Sequence, residues 1–299
     1  MTADSQTVLQ SWSSPLGLDL ALCLTSLIYA RGWLRLRAAF PNLVSPWRLA
    51  AFLAGIVSVW IAIGSPLQAL DDVSLSIHMI QHLLLMTIAP LFILLAAPTM
   101  PMLHGLPHTL ASGLVGPFLR WRWVKWFGSF ITRPIVAWLI AALTLLLWHI
   151  PAVFDSALRL SWLHVFEHVS FFAAGLIFWW PVVQPWPSRS RSPRWIIPLY
   201  LFCATLPCDA LSGFLVFCDR VIYSSYLSAP RVFAISALED QQLAAALMWV
   251  SVTIILLVPA AMVTIQILSS PGPRLLERNW IEVGEISAGP LPPSKTEAV

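Results

Sequence analysis

Apolar runs of close to twenty residues recur along this chain, and they constrain its fold more than any other feature. They can be read at 18–36, 46–64, 74–97, 134–151, 161–183, 195–218 and 240–268. Crossing a hydrocarbon core about 30 Å thick takes roughly 17–25 helical residues, so each run matches one crossing. Lipid offers the backbone no hydrogen-bond partner, and a helix satisfies its own. Composition agrees: 58% of the 299 residues are hydrophobic and 10% are charged, where a soluble domain carries about a quarter charged. Proline or glycine marks many run ends, as at Gly64, Pro98, Pro134, Pro151 and Pro198. The expected fold is all-α: a polytopic membrane helix bundle of seven transmembrane helices, one domain over residues 1–268. Residues 269–299, rich in proline, are expected to form a flexible cytoplasmic tail.

The basic residues predict an orientation. Fourteen fall on one side of the expected bundle, in the segments around 31–48, 98–133 and 184–194 and in the tail, whereas Arg159, Arg220 and Arg231 fall on the other. The positive-inside rule then gives N-out, C-in. Residues 1–17 contain no Lys or Arg, so the start does not read as a secretory signal peptide. The stretch 118–131 mixes aromatic and cationic residues and reads as an interfacial amphipathic helix. A net charge of +3 gives no reason to expect a nucleic-acid partner. The lipid bilayer is the partner that composition implies.

Cys23, Cys203, Cys208 and Cys218 form no C-x-x-C pair and read as small residues of a helical interior. The histidines carry more information. His104 and His108 fall in an expected cytoplasmic loop, but His78, His82, His149, His164 and His168 fall in spans. With a rise of 1.5 Å per residue, all five lie roughly 3–12 Å below the outer boundary. His78/His82 and His164/His168 are i, i+4 pairs, so each pair shares a helix face. Imidazoles converging from several helices suit copper, zinc, iron or nickel. The five are therefore candidate metal ligands, competing with a reading as neutral imidazoles that bond between helices. Met86 extends the first stripe with a thioether. Asp155 and Asp240, at the mouths of neighbouring spans, are candidate acceptors for ring N–H groups. Glu167, about 100° from His168 around its helix, and Asp209, deeper in its span, are further candidates for the same polar cluster. Pro90, Pro207 and Pro259 are expected to kink their helices.

Several strings resemble one known family. The run from His78 to Pro90 (HMIQHLLLMTIAP) and that from Trp148 to Leu158 (WHIPAVFDSAL) resemble signatures of the caa3-type cytochrome c oxidase assembly factor family (CtaG, Bacillus type). So do Glu167-His168 leading to Phe178–Pro181, Asp209 with Gly213, and the run Asp240–Ala244 followed by Met248-Trp249. The strings occur in the family's order between about residues 46 and 268. Ala245 and Ala246 depart from the small glycine expected there, which bears on packing more than on chemistry. The resemblance implies a multi-pass protein of the bacterial plasma membrane that is not an enzyme and serves the formation of active haem–copper oxidase. It implies copper as the cargo, with zinc equally acceptable to imidazole. Oxidase subunits or a copper donor protein are the implied partners. Two other classes compete: a b-type haem electron-transfer protein, and a metal transporter or permease.

Overall fold

The computed structural model describes residues 15–41, 44–185, 193–231 and 233–269. The expected tail and Arg189, Arg191, Arg274, Arg278 and Lys295 of the charge count lie outside the described residues. Among the described residues all regular structure is helical. Five segments are long and apolar enough to cross a membrane: Pro46–Ala69, Leu75–Leu95, Ser161–Val183, Ile196–Phe217 and Ala237–Ser269. They match five of the seven expected spans to within a few residues.

The other two expected spans differ. Helix α1 (Leu16–Ala39) is long enough, but it carries Asp19 in its first turn and Arg37 in its last, with Arg31 and Arg35 between. It is not among the five. The first of the five contains α2 (Pro46–Ile63) and ends in a 3-10 turn, Pro66–Ala69. Helix α3 is the span Leu75–Leu95. After it comes α4 (Thr99–Gly105), inside what reads as a loop. Helix α5 (Arg122–Ile131) joins α6 (Pro134–Trp148) at a bend of 72°, and this bent pair is a sixth candidate crossing. The bend has a local cause. Arg133 precedes Pro134 and is extended, with ψ 135°, because a residue before proline is driven out of the helical region. Helix α6 alone has 15 residues, fewer than the roughly 17 a crossing needs. Short helical segments lie between residues 108 and 120 and at Ser224–Leu227, and the remaining longer helices are α7 (Pro151–Arg159), α8 (Ser161–Val183), α9 (Ile196–Phe217) and α10 (Ala237–Ser269).

Helix α5 exposes Trp123, Trp126 and Phe127 beside Arg122 and Lys125. That surface is what an interfacial helix presents. Helices α1 and α4 meet at backbone level. A Cβ on Gly32 would lie 1.7 Å from the Pro101 carbonyl oxygen, and one on Gly105 would lie 1.8 Å from that of Ile28. Only glycine permits this crossing.

Helix α3 packs against α2, α8 and α10 and is the inner helix of the bundle. Its middle, Leu84–Ile88, is a π-helical turn just before Pro90. Proline has no N–H for the Met86 carbonyl and its ring crowds that oxygen. The extra residue of a π turn absorbs the mismatch. The widened turn is where α8 makes its closest approach: a Cβ on Gly175 would meet the Met86 oxygen at 2.3 Å. Pro207 and Pro259 are accommodated inside α9 and α10. Cys23 is exposed on α1, against expectation, whereas Cys208 is buried; the four cysteines are free thiols.

Candidate metal centre

Three chain segments bring their polar residues to one end of the bundle. Helix α3 starts there, α6 ends there and α8 starts there again. The start of α3 is held from outside. The Asp240 carboxylate on α10 accepts from the Leu75 N–H at 2.7 Å and the Ser76 N–H at 3.2 Å, and from the hydroxyls of Ser74 and Ser76. These N–H groups have no partner within their own helix, so a carboxylate from another helix serves as the cap. One turn further, His78 and His82 face inward. Gln81 donates to the Ala62 carbonyl at 2.8 Å and fixes α3 to α2.

His149 is the residue at the end of α6, where the chain turns toward Pro151. Its Nδ1 donates to the Leu145 carbonyl at 2.8 Å. That bond assigns the proton to Nδ1 and leaves the lone pair on the buried Nε2. Tyr223 donates to the His149 carbonyl at 3.2 Å. The Trp148 indole donates to Ser170 at 2.7 Å, and Ser170 donates to the Glu167 carbonyl at 2.8 Å. Helices α6 and α8 are thereby locked in register.

The five imidazoles meet. Ring centroids are 4.3 Å apart for His78–His82, 4.4 Å for His164–His168, 5.5 Å for His78–His164, 5.8 Å for His82–His168 and 6.4 Å for His82–His149. Glu167 lies among them, fully buried, with one oxygen 3.4 Å from His82 Nε2 and 3.7 Å from His78 Nε2. Asp71, 1% exposed in the loop before α3, lies 3.7 Å from His164 Nε2. Burial pushes the Asp71 carboxyl up to about 7, against the opposing pull of His78. A nearby cation would favour its ionised form.

Most of these atoms lack hydrogen-bond partners: both ring nitrogens of His78 and of His82, Nε2 of His149, His164 and His168, both oxygens of Glu167 and one of Asp71. Buried polar groups ordinarily find partners, and each one left without costs about 1–3 kcal/mol. So many together place lone-pair donors and carboxylates side by side in one buried cluster. Two triads, Asp71/His78/His164 and His78/His82/Glu167, each hold their ligand atoms within 4.8 Å of one another.

Three of the candidate residues make their contacts elsewhere. Asp240 caps α3 and orients no ring nitrogen. Asp155 accepts from Ser224 and Ser225 at 2.9 and 2.8 Å and so holds the loop that carries Tyr223 and Tyr226. Asp209 accepts from Thr253 at 3.5 Å, between α9 and α10. Short carboxylates take the nearest donors, here serine or threonine hydroxyls and helix-start N–H groups. His104 contacts the Met100 carbonyl through Nδ1, and its own carbonyl accepts from Arg35. Met86 lines an apolar cavity of about 70 Å³, shared with His82 and His149. Asp71 was not a candidate from the sequence. Its seven-residue offset from His78 is a helix-face spacing, masked because Asp71 lies in a turn. Tyr226 donates to the Asp71 carbonyl at 2.8 Å, and burial pushes its phenol well up, so it stays a neutral donor.

Relatives of known sequence include uncharacterized proteins of Mycobacterium bovis and Mycobacterium tuberculosis, each 27% identical over 230 residues, and one of Mycobacterium leprae, 24% identical over 225. The matches cover 74% of this chain, which spans about a third (34%) of the length of those relatives. No solved structure matches. Residues 27–270 match the family described as cytochrome c oxidase caa3 assembly factor, a range that contains every residue of the histidine cluster and most of the bundle. The chain belongs to the cytochrome c oxidase caa3 assembly factor family.

Proposed function

We propose that this chain binds copper in the histidine–carboxylate cluster as cargo for the maturation of a haem–copper oxidase. One observation carries the reading: the five imidazoles and two carboxylates converge while most of their ring nitrogens and carboxylate oxygens lack hydrogen-bond partners. Neutral imidazole nitrogens ligate copper and zinc alike, and copper stands above zinc in affinity for such a set. Five imidazoles, each neutral when it ligates, supply lone pairs, and two carboxylates supply the negative charge that a buried cation needs. Tyr223, Tyr226 and Asp240 hold the backbone from which these ligands project. The chain's role is to bind and release, with no bond made or broken in a substrate, and its partners are a copper donor and an oxidase subunit.

The same reading takes α1 and the bent α5/α6 pair as crossings, which with the five long apolar helices makes seven, N-out and C-in in a bacterial plasma membrane. Arg31, Arg35 and Arg37 near the end of α1 can reach the headgroups while their stems stay apolar. The cluster then faces the outer side. A haem reading fits the packing less well. Rings with centroids 4.3–6.4 Å apart, and Phe171 4.1 Å from His82, leave no slot for a porphyrin between axial ligands.

The test is elemental analysis of the full chain purified from cells supplied with copper and zinc, together with its absorption spectrum. Copper bound at a fixed ratio and lost on replacing the cluster histidines supports the proposal. Zinc alone would change the cargo, a Soret band would support haem, and no metal under either supply would overturn the proposal.

A further inference from the structure

The cluster contains two triads that share one residue. Asp71, His78 and His164 form one, and His78, His82 and Glu167 form the other. They differ in access. The difference lies at His164, whose side chain is 16% exposed; that of Asp71, on a loop, is 2% exposed, and in the second triad those of His82 and Glu167 are 6% and 0% exposed. They are alike in chemistry, each with two imidazoles and one carboxylate. His78 is fully buried and neither of its nitrogens has a hydrogen-bond partner. A neutral imidazole has one lone pair to give. It therefore serves one cation at a time.

We propose that the triads are successive stations for one cation, a loop-side station that captures it and a deep station that retains it, with His78 ligating in both. The inference rests on the reading of this cluster as a metal site. Transfer is an exchange of ligands: Asp71 and His164 leave as His82 and Glu167 enter. No electron changes hands, and the cation keeps its charge. One carboxylate stands beside it in either station, so the move leaves no added unpaired charge in a low-dielectric site. The path is short. The His78 ring lies 5.5 Å from that of His164 and 4.3 Å from that of His82, centroid to centroid, and His–metal bonds are about 2 Å. A cation bound to His78 is within reach of both sets.

The experiment loads the full chain, in detergent, from the coloured complex of Cu(I) with bicinchoninate. It follows the rate of colour loss and then the retention of copper against added chelator. The unmodified chain is expected to take up one ion. Asp71→Asn and His164→Gln are expected to lower the uptake rate about tenfold more than they lower retention. Glu167→Gln and His82→Gln are expected to do the reverse, losing about tenfold more in retention than in rate, within the range that ligand-sphere changes produce. Each station has two variants, so a single misfolded variant, recognised by its thermal melt, does not decide the matter. Two ions per chain, or the same split between rate and retention in all four variants, would overturn the two-station order while leaving the metal site standing. A chain that takes up neither copper nor zinc would overturn both.

Discussion

The carboxylate of Asp240, on the last helix described, closes the first turn of the helix that carries His78, bonding to the Leu75 N–H at 2.7 Å. Residues far apart in sequence are thereby joined at the point that sets the depth and rotation of both His78 and His82. Replacing Asp240 by Ala should strand buried donors at Ser74, Leu75 and Ser76, at about 1–3 kcal/mol for each group left unpaired. Asp240→Asn keeps a carbonyl acceptor and should lose less. Thermal unfolding in detergent reads the order, unmodified above Asn above Ala. An Ala variant as stable as the parent would mean that the cap does not hold α3.

Gly175 is a second fixed point. Its absent Cβ would lie 2.3 Å from the Met86 oxygen and 2.7 Å from the Pro90 ring. Gly175→Ala should force α8 away from α3, and overpacking of that kind costs about 1–3 kcal/mol. Gly128→Ala is the comparison, because nothing lies within 4 Å of the position its Cβ would take. Membrane abundance and melting temperature should fall for the first and hold for the second.

The histidines divide into two groups with different expected outcomes. His82→Ala or His168→Ala should lower bound copper without unfolding the bundle, since each removes a neutral ring from a cage with other donors. Oxidase activity should fall with it and recover in part under excess copper, because mass action offsets weaker binding. His104→Ala, with its ring against Met100, should leave copper content unchanged. Equal copper in the His82 and His104 variants, at equal membrane abundance, would make the cluster structural.

Orientation is open to direct measurement. With the cluster end outside, a reporter fused after α10 should be active only as a cytoplasmic reporter. A cysteine introduced at Ser224, in the loop that Asp155 holds, should react with an impermeant thiol reagent added to intact cells. Labelling only after lysis would reverse the bundle.

The i, i+4 pairs and His149 were legible in the sequence because ionisable groups are rare in apolar runs, so their shared depth stood out. Glu167 was harder to place. A stripe on one helix excludes a residue about 100° away, but a cage assembled from α3, α6 and α8 receives residues over a wider arc of each. Asp71 lay outside any apolar run and so escaped the criterion that found the histidines. Asp155 and Asp240 looked like partners for imidazole because charge and depth can be read from sequence, whereas the serines and free N–H groups that claim them depend on tertiary packing. The five long spans followed from hydropathy alone. The bend at Arg133-Pro134 was visible only as punctuation, because a proline marks a break without giving its angle, here 72°.

The cavity under the histidines bears on which kind of ion the cluster suits. Below His82 and His149 its wall carries Ala141 and Leu145 and four sulfur-bearing side chains, Met79, Met86, Cys208 and Met248. Thioether and thiol sulfurs favour soft ions such as Cu(I) over hard ones, and a pocket of about 70 Å³ with so few polar groups offers water little to bond to. A soft cation at the level of His82 would therefore have sulfur in its surroundings, whereas a hard, hydrated one gains nothing by passing below the imidazoles.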